Sequence, residues 1–234
     1  MSPRSFALTL STFALILTAC DQPKGAPRVD DPAPPSLAQA PAAAAAPAAP
    51  KPPRPPEPIV WDEVSERFTL DGMVVKTAHL WRFDRSLEAF SSLGSRLQPA
   101  PGGGLQVIED APDAVLRSPQ NLAIDGKRYN AVLVRLTRVQ PSEKWDGSIF
   151  YTTKAHGEAA AFHTKPLRGA NPVQGETTIM VYDMANLKKG GGDWTASTIL
   201  GLRLDFDDSV GGGFLVHQIA VVSLPPAAML RPSQ

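Results

Sequence analysis

Between residues 59 and 225, apolar and polar positions alternate in short runs, the period of strands half-buried in a sheet. The clearest run is "YNAVLVRLTRV" (129–139), where Val132, Val134 and Leu136 share one face and Arg135 and Thr137 share the other. Further strands are predicted in "MVVKTAHLWRF" (73–83), "GLQVIED" (104–110), "AVLRSP" (114–119) and "SIFYTTK" (148–154). The series continues through "ETTIMVYDM" (176–184), "STILGLRLDF" (197–206) and "GFLVHQIAVVSL" (213–224). Turn-forming stretches separate them, among them "DGKR", "KWDG", "GANPVQG", "KKGGGDW" and "DDSVGGG". Only "DEVSER" (62–67) and "RSLEAF" (85–90) carry the pattern of a helical turn. The expectation is an all-β domain of about eight or nine antiparallel strands, a sandwich or barrel.

The first 58 residues follow different rules. Arg4 precedes an apolar segment, Phe6 to Leu17, interrupted only by Thr and Ser. It is too short to span a bilayer, which takes about 20 apolar residues, and it has the layout of a secretory signal. It ends in Leu17-Thr18-Ala19-Cys20, which resembles the lipobox of bacterial lipoproteins. That resemblance implies that Cys20, the only cysteine of the chain, is lipidated and becomes the new amino terminus. A thiolate is a strong enough nucleophile to accept a diacylglycerol group, and two or more acyl chains, palmitate for example, anchor stably. Asp21 resembles an enterobacterial signal for retention in the inner membrane rather than export to the outer one.

Residues 21–58 contain 13 Pro and 11 Ala in 38 positions. Prolines at this density block helix and favour an extended polyproline II spacer. At roughly 3.1 Å per residue, such a tether reaches on the order of 100 Å. A ligand for a proline-binding domain, centred on "KPPRPPEP", is the other reading. The organisation expected is therefore a signal peptide (1–19), a lipidated Cys20 with a disordered Ala/Pro-rich tether (20–58), a β-sandwich (59–225) and a short tail (226–234).

Composition narrows the function. The formal net charge is zero and no basic stripe exists, so nucleic acid is not expected as a partner. All four Trp, all three Tyr and seven of nine Phe lie in the folded part.

The run from "LWRFD" (80–84) through "GGLQVIEDAPDAVLRSPQNLAIDGKRYNAVLVRLTRV" (103–139), "IFYTT" (149–153), "TTIMVYDM" (177–184) and "STILGLRLDFDDSVGGGFLVHQIAVVSL" (197–224) resembles the galactose-binding-like jelly roll. Many carbohydrate-binding modules use that sandwich. The resemblance implies a jelly-roll β-sandwich and glycan binding as the leading function. His217, in "LVHQI", stands where the family often has an acid.

Arg135, Tyr151 and Arg203 are the candidate ligand-binding residues, expected to share one sheet face. Tyr151 alternates with Phe150, so one of the two points out of the core. Trp145 and Trp194 sit in turns, and the aromatic residues read equally as cross-strand packing. In "DFDDSVGGG", Val210 and Val216 stand where an EF-hand loop needs Gly and an acid. Asp84 with Asp207 or Asp208 remains as a candidate calcium set, the other reading being a solvated turn. The histidines (79, 156, 163 and 217) lack the tight spacing of a zinc site. No G-x-S-x-G occurs, and the three Gly-Gly-Gly runs lie between strands rather than before helices. The sequence thus points to a non-catalytic, membrane-anchored periplasmic module that binds polysaccharide. An envelope protein–protein scaffold is the alternative, and a hydrolase would require two acids facing each other across a cleft.

Overall fold

A computed structural model describes residues 59–226. The signal peptide, Cys20 and the Ala/Pro tether expected from the sequence lie outside the described residues, as does the tail from residue 227. Every paired strand is antiparallel.

Strands β1 (Ile59–Asp62), β2 (Arg67–Leu70) and β3 (Met73–Val74) form a small sheet of their own. β4 (Lys76–Trp81), β5 (Ser91–Leu93), β6 (Ser95–Pro99), β7 (Leu105–Glu109), β8 (Val115–Arg117) and β9 (Ile124–Asp125) follow. Then come β10 (Ala131–Gln140), β11 (Trp145–Thr152), β12 (His163–Thr164), β13 (Thr177–Asp183) and a one-turn helix α1 (Asp193–Ala196). β14 (Thr198–Ile199), β15 (Gly201–Asp207) and β16 (Gly213–Ser223) close the chain.

The two main sheets have the orders β13-β10-β16-β7-β6, with β4 also on β16, and β12-β11-β15-β8-β5. The chain crosses between them at nearly every step. β7 lies in the first, β8 in the second, β10 in the first, β11 and β12 in the second, β13 in the first, β15 in the second and β16 in the first. That alternation, with four-strand orders β13-β10-β16-β7 and β12-β11-β15-β8, is a jelly-roll sandwich. The fold class expected from the sequence is therefore the one observed.

The core between the sheets is continuous. Leu105 and Val107 from β7, Val132, Val134 and Leu136 from β10, Ile149 and Tyr151 from β11, and Leu202, Leu204 and Phe206 from β15 meet in it. A second cluster lies on the far side of the first sheet. There Ala131, Leu133, Ala220 and Val222 are covered by Ile59, Phe68 and Leu70 from the N-terminal sheet. The six-stranded sheet is thus buried on both faces, while the five-stranded sheet keeps its outer face partly open.

Two local expectations are corrected. "DEVSER" is the turn joining β1 to β2, where Asp62 Oδ1 accepts the backbone N–H groups of Val64 and Ser65 at 2.8 and 3.1 Å. That carboxylate cap holds a tight turn and leaves no room for a helix. "RSLEAF" is likewise irregular, and Glu88 and Ala89 take φ of 46° and 60° there, outside helical geometry. The stretch 91–99, given no strand by its pattern, forms β5 and β6 on either side of Gly94, whose φ of +81° turns the chain.

Candidate functional site

The outer face of the five-stranded sheet carries one unbroken rung. Ser91 pairs with Arg117, Arg117 with Arg203, Arg203 with Phe150 and Phe150 with His163, one residue from each of five strands. Each is out of phase with buried Leu116, Leu204 or Ile149, so period-2 alternation sends these side chains outward.

The rung is ordered by planar groups. The Arg203 guanidinium lies 4.6 Å from the Phe150 ring centroid, and His163 stacks on the same ring at 5.0 Å and 22°. Arg203 Nε donates to Asp205 Oδ1 at 2.7 Å. Arg117 makes a two-pronged pair with Glu158, Nε to Oε1 and Nη2 to Oε2, both at 2.7 Å. Arg203 Nη1 reaches the same Glu158 Oε2 at 3.4 Å. The Arg117 guanidinium holds the Glu158 carboxyl below the usual carboxylate range. Burial pushes the Asp205 carboxyl up, against the pull of Arg203. One step along the sheet, Thr152 donates its hydroxyl hydrogen to Gln120 Oε1 at 3.2 Å. The face therefore offers guanidinium, carboxylate, amide and hydroxyl groups beside an aromatic ring, the chemistry that reads sugar hydroxyls and ring faces.

Only one of the three residues expected to bind ligand stands on this face. Arg203 is on it. Tyr151 is fully buried, with its ring in the core beside Trp194 at 5.0 Å. Its neighbour Phe150 is the aromatic that faces out. Arg135 is on the other sheet altogether, under the N-terminal strands, where it donates to Gln218 at 2.9 Å and to Glu63 at 3.1 Å. Sheet membership depends on long-range pairing, so the expected grouping of Arg135, Tyr151 and Arg203 does not form. Phe150, Arg117, Glu158 and His163 were missed. Ile149 shares a strand face with Tyr151, and that phase was the available signal that Phe150 points outward.

The calcium set is corrected as well. Asp84 pairs with Arg82 at 2.8 Å, Asp207 with Arg138 at 2.9 Å, and Asp208 with Lys144. Each carboxylate has its own cation, and a calcium ion would have to displace one at every ligand. Among the described residues, no group of three or more His, Cys, Asp or Glu side chains could hold a metal ion.

A second polar cluster closes one end of the sandwich. Glu109, Arg138 and Asp207 are all buried, and Glu109 Oε2 and Arg138 Nε have no hydrogen-bond partner. Burial first, and then the neighbouring Asp207 charge, push the Glu109 carboxyl up to about 8. A third cluster joins Tyr151, whose hydroxyl donates to Asp193 Oδ2 at 2.8 Å, to His156, whose Nε2 lies 2.9 Å from the same oxygen.

No protein-family model and no curated protein matches the chain. Solved structures that it is similar to include carbohydrate-binding modules. One is the Clostridium thermocellum xylanase 10B, CBM22-1 and GH10 modules with xylohexaose, at 16% identity and TM-score 0.44, over 62% of this chain and 28% of that one. A second is CsCBM6-3 from Clostridium stercorarium with cellobiose, at 11% identity and TM-score 0.37, over 64% and 98%. A third is the CBM22-1 xylan-binding domain of Paenibacillus barcinonensis Xyn10C, at 9% identity and TM-score 0.41, over 64% and 97%.

Proposed function

We propose that this chain is a lipid-anchored envelope protein whose sandwich binds a glycan, without catalysis, across the outer face of the five-stranded sheet. The observation that carries the reading is the rung Ser91–Arg117–Arg203–Phe150–His163, a polar and aromatic strip on the one main sheet face left partly open. The two carboxylates beside it, Glu158 and Asp205, both sit on arginines. Neither is free to act as acid or nucleophile, which favours binding over hydrolysis. The anchor rests on Leu17-Thr18-Ala19-Cys20 and the distance from the membrane on the Ala/Pro tether. Asp21 favours the inner membrane, with the sandwich in the periplasm.

The test is binding of the full-length chain to a panel of cell-wall and exported polysaccharides. Retention on one class, lost in Phe150→Ala with the fold intact, supports the reading. In the same cells, labelled palmitate should enter the wild-type chain and not Cys20→Ser. A second reading, an envelope protein–protein module, draws on Val60, Val64, Met73 and Val74, which are exposed on the N-terminal sheet. It predicts silence across the panel and protein cross-links through that sheet.

A further inference from the structure

Glu158 reaches the rung from outside the sheet, from the loop between β11 and β12. It projects from the stretch Gly157–Ala161, whose other members are Gly and Ala. The base of this stretch is clamped independently. His156 stacks on Phe162 at 3.5 Å and 11°, closing the loop, and His156 Nε2 rests on Asp193. Phe162 N–H donates to the Ala159 carbonyl at 2.8 Å, and Tyr151 N–H donates to the Phe162 carbonyl at 3.4 Å. Between these fixed ends, Glu158 holds the tip to the sheet by its contacts with Arg117 and Arg203. Ala159 and Ala160 are exposed.

We propose that Arg117 and Arg203 form a carboxylate-binding subsite, that the chain's own Glu158 occupies it in the free protein, and that its external ligand is the uronate carboxylate of an acidic polysaccharide. This rests on the glycan reading above and specifies its ligand. The guanidinium fork of Arg117 already meets a carboxylate edge-on with both prongs, the geometry any carboxylate would take there. Arg203 Nη1 is directed at the same oxygen. Replacing Glu158 by a ligand carboxylate conserves these hydrogen bonds, so the exchange needs no new buried charge. From that seat the rung continues past Arg203 to Phe150 and His163, where the adjoining sugar residues lie. Glu158 thereby acts as an internal competitor, and the apparent affinity of an acidic ligand is reduced by the fraction of time it is seated.

The experiment is calorimetric titration of the full-length chain with an oligogalacturonate and with an uncharged gluco-oligosaccharide of the same length. Wild type, Glu158→Gln, Glu158→Ala and Arg117→Ala/Glu158→Ala are compared, each checked for an unchanged thermal melt. Both single variants are expected to bind the oligogalacturonate on the order of tenfold more tightly than wild type. The gain should vanish in the double variant, and acetate at matched carboxylate concentration should not compete. An oligogalacturonate affinity that is unchanged in both single variants overturns the proposal, as does a gain that survives loss of Arg117. Effective competition by acetate overturns the polymeric ligand. Binding of the uncharged oligosaccharide alone overturns the uronate subsite and leaves the glycan reading standing. No binding of either oligosaccharide by folded protein overturns both.

Discussion

The side chains of Glu109 and Asp207 meet beside Gly212, in the space that a β-carbon there would occupy. A β-carbon placed on that glycine would lie less than 3.0 Å from Glu109 Oε2 and from Asp207 Oδ2. β7 and β15 belong to opposite sheets, and the Arg138–Asp207 pair at 2.9 Å ties the first sheet to the second at this end of the sandwich. Neither oxygen can retreat easily. Both residues are buried, and Asp207 is also held by Arg138 through Oδ1 and by the Ser142 N–H through Oδ2. Gly212→Ala is therefore expected to destabilise the domain by about 1–3 kcal/mol, the usual cost of overpacking. Urea unfolding of the two proteins measures it, and equal midpoints would contradict the crowding.

The same pair sets a pH dependence. Burial, and then the Asp207 charge, push the Glu109 carboxyl up to about 8 from its ordinary value near 4.5, so the folded state keeps a proton that the unfolded chain has lost. The stability this confers is complete below the unfolded value and is lost as pH rises through the folded one. Burial lowers the pKa of His79 and His217, but both histidines are common to wild type and Glu109→Gln, so their titration cancels in the comparison. Between pH 6.5 and 8, wild type should lose stability relative to Glu109→Gln, at no more than about 1.4 kcal/mol per pH unit. The variant keeps the shape and removes the titration. Parallel stability curves for the two proteins over that interval would show that Glu109 ionises normally.

These residues also show what can be read from one sequence. Alternation in β10 assigned Val132, Val134 and Leu136 to the core and Arg135 and Thr137 to the other face, and the structure agrees because strand period is a local property. Arg138 continues the core phase, and Glu109 continues that of Leu105 and Val107. A charge in core phase on each of two strands was a legible sign of a buried polar cluster, which the structure completes with Asp207. Which sheet a strand joins is not local. Arg135 and Arg203 look alike in sequence, each a cation opposite an apolar stripe, yet they emerge on different sheets. Glu158 had no pattern at all, since its place beside the rung is set by a loop whose course depends on the stacking of His156 on Phe162.

Tyr151 was expected at a ligand surface and serves instead as a strut. Its ring packs edge-on against Trp194 and Phe162, and its hydroxyl donates to Asp193, which also holds His156. Burial, the Asp193 hydrogen bond and the Asp193 charge all push the phenol pKa well up, so the proton stays on the oxygen. Tyr151→Phe leaves the ring packing intact and deletes one hydrogen bond. The expected cost is about 1–2 kcal/mol, with faster amide exchange in the 153–162 loop that Asp193 helps to hold through His156. Unaltered unfolding and exchange would mean that Asp193 holds the loop through His156 alone.

The two sheets separate structural from binding residues in a single comparison. Arg135 lies under the N-terminal strands, 6.0 Å from the Trp61 ring centroid, and its partners are Gln218 and Glu63. Arg135→Ala should lower stability modestly, by about 0.5–1.5 kcal/mol, because its exposed pair with Glu63 is weak and its hydrogen bond to Gln218 only partly buried. It should leave polysaccharide retention untouched. Phe150→Ala removes a half-buried ring flanked by Arg203 and His163 rather than by core, so the fold survives while the ring surface that a sugar would meet is gone. Retention should fall by at least about tenfold, corresponding to about 1.4 kcal/mol of lost contact. The reverse result, retention lost with Arg135→Ala and kept with Phe150→Ala, would move the binding face to the six-stranded sheet and its N-terminal cover.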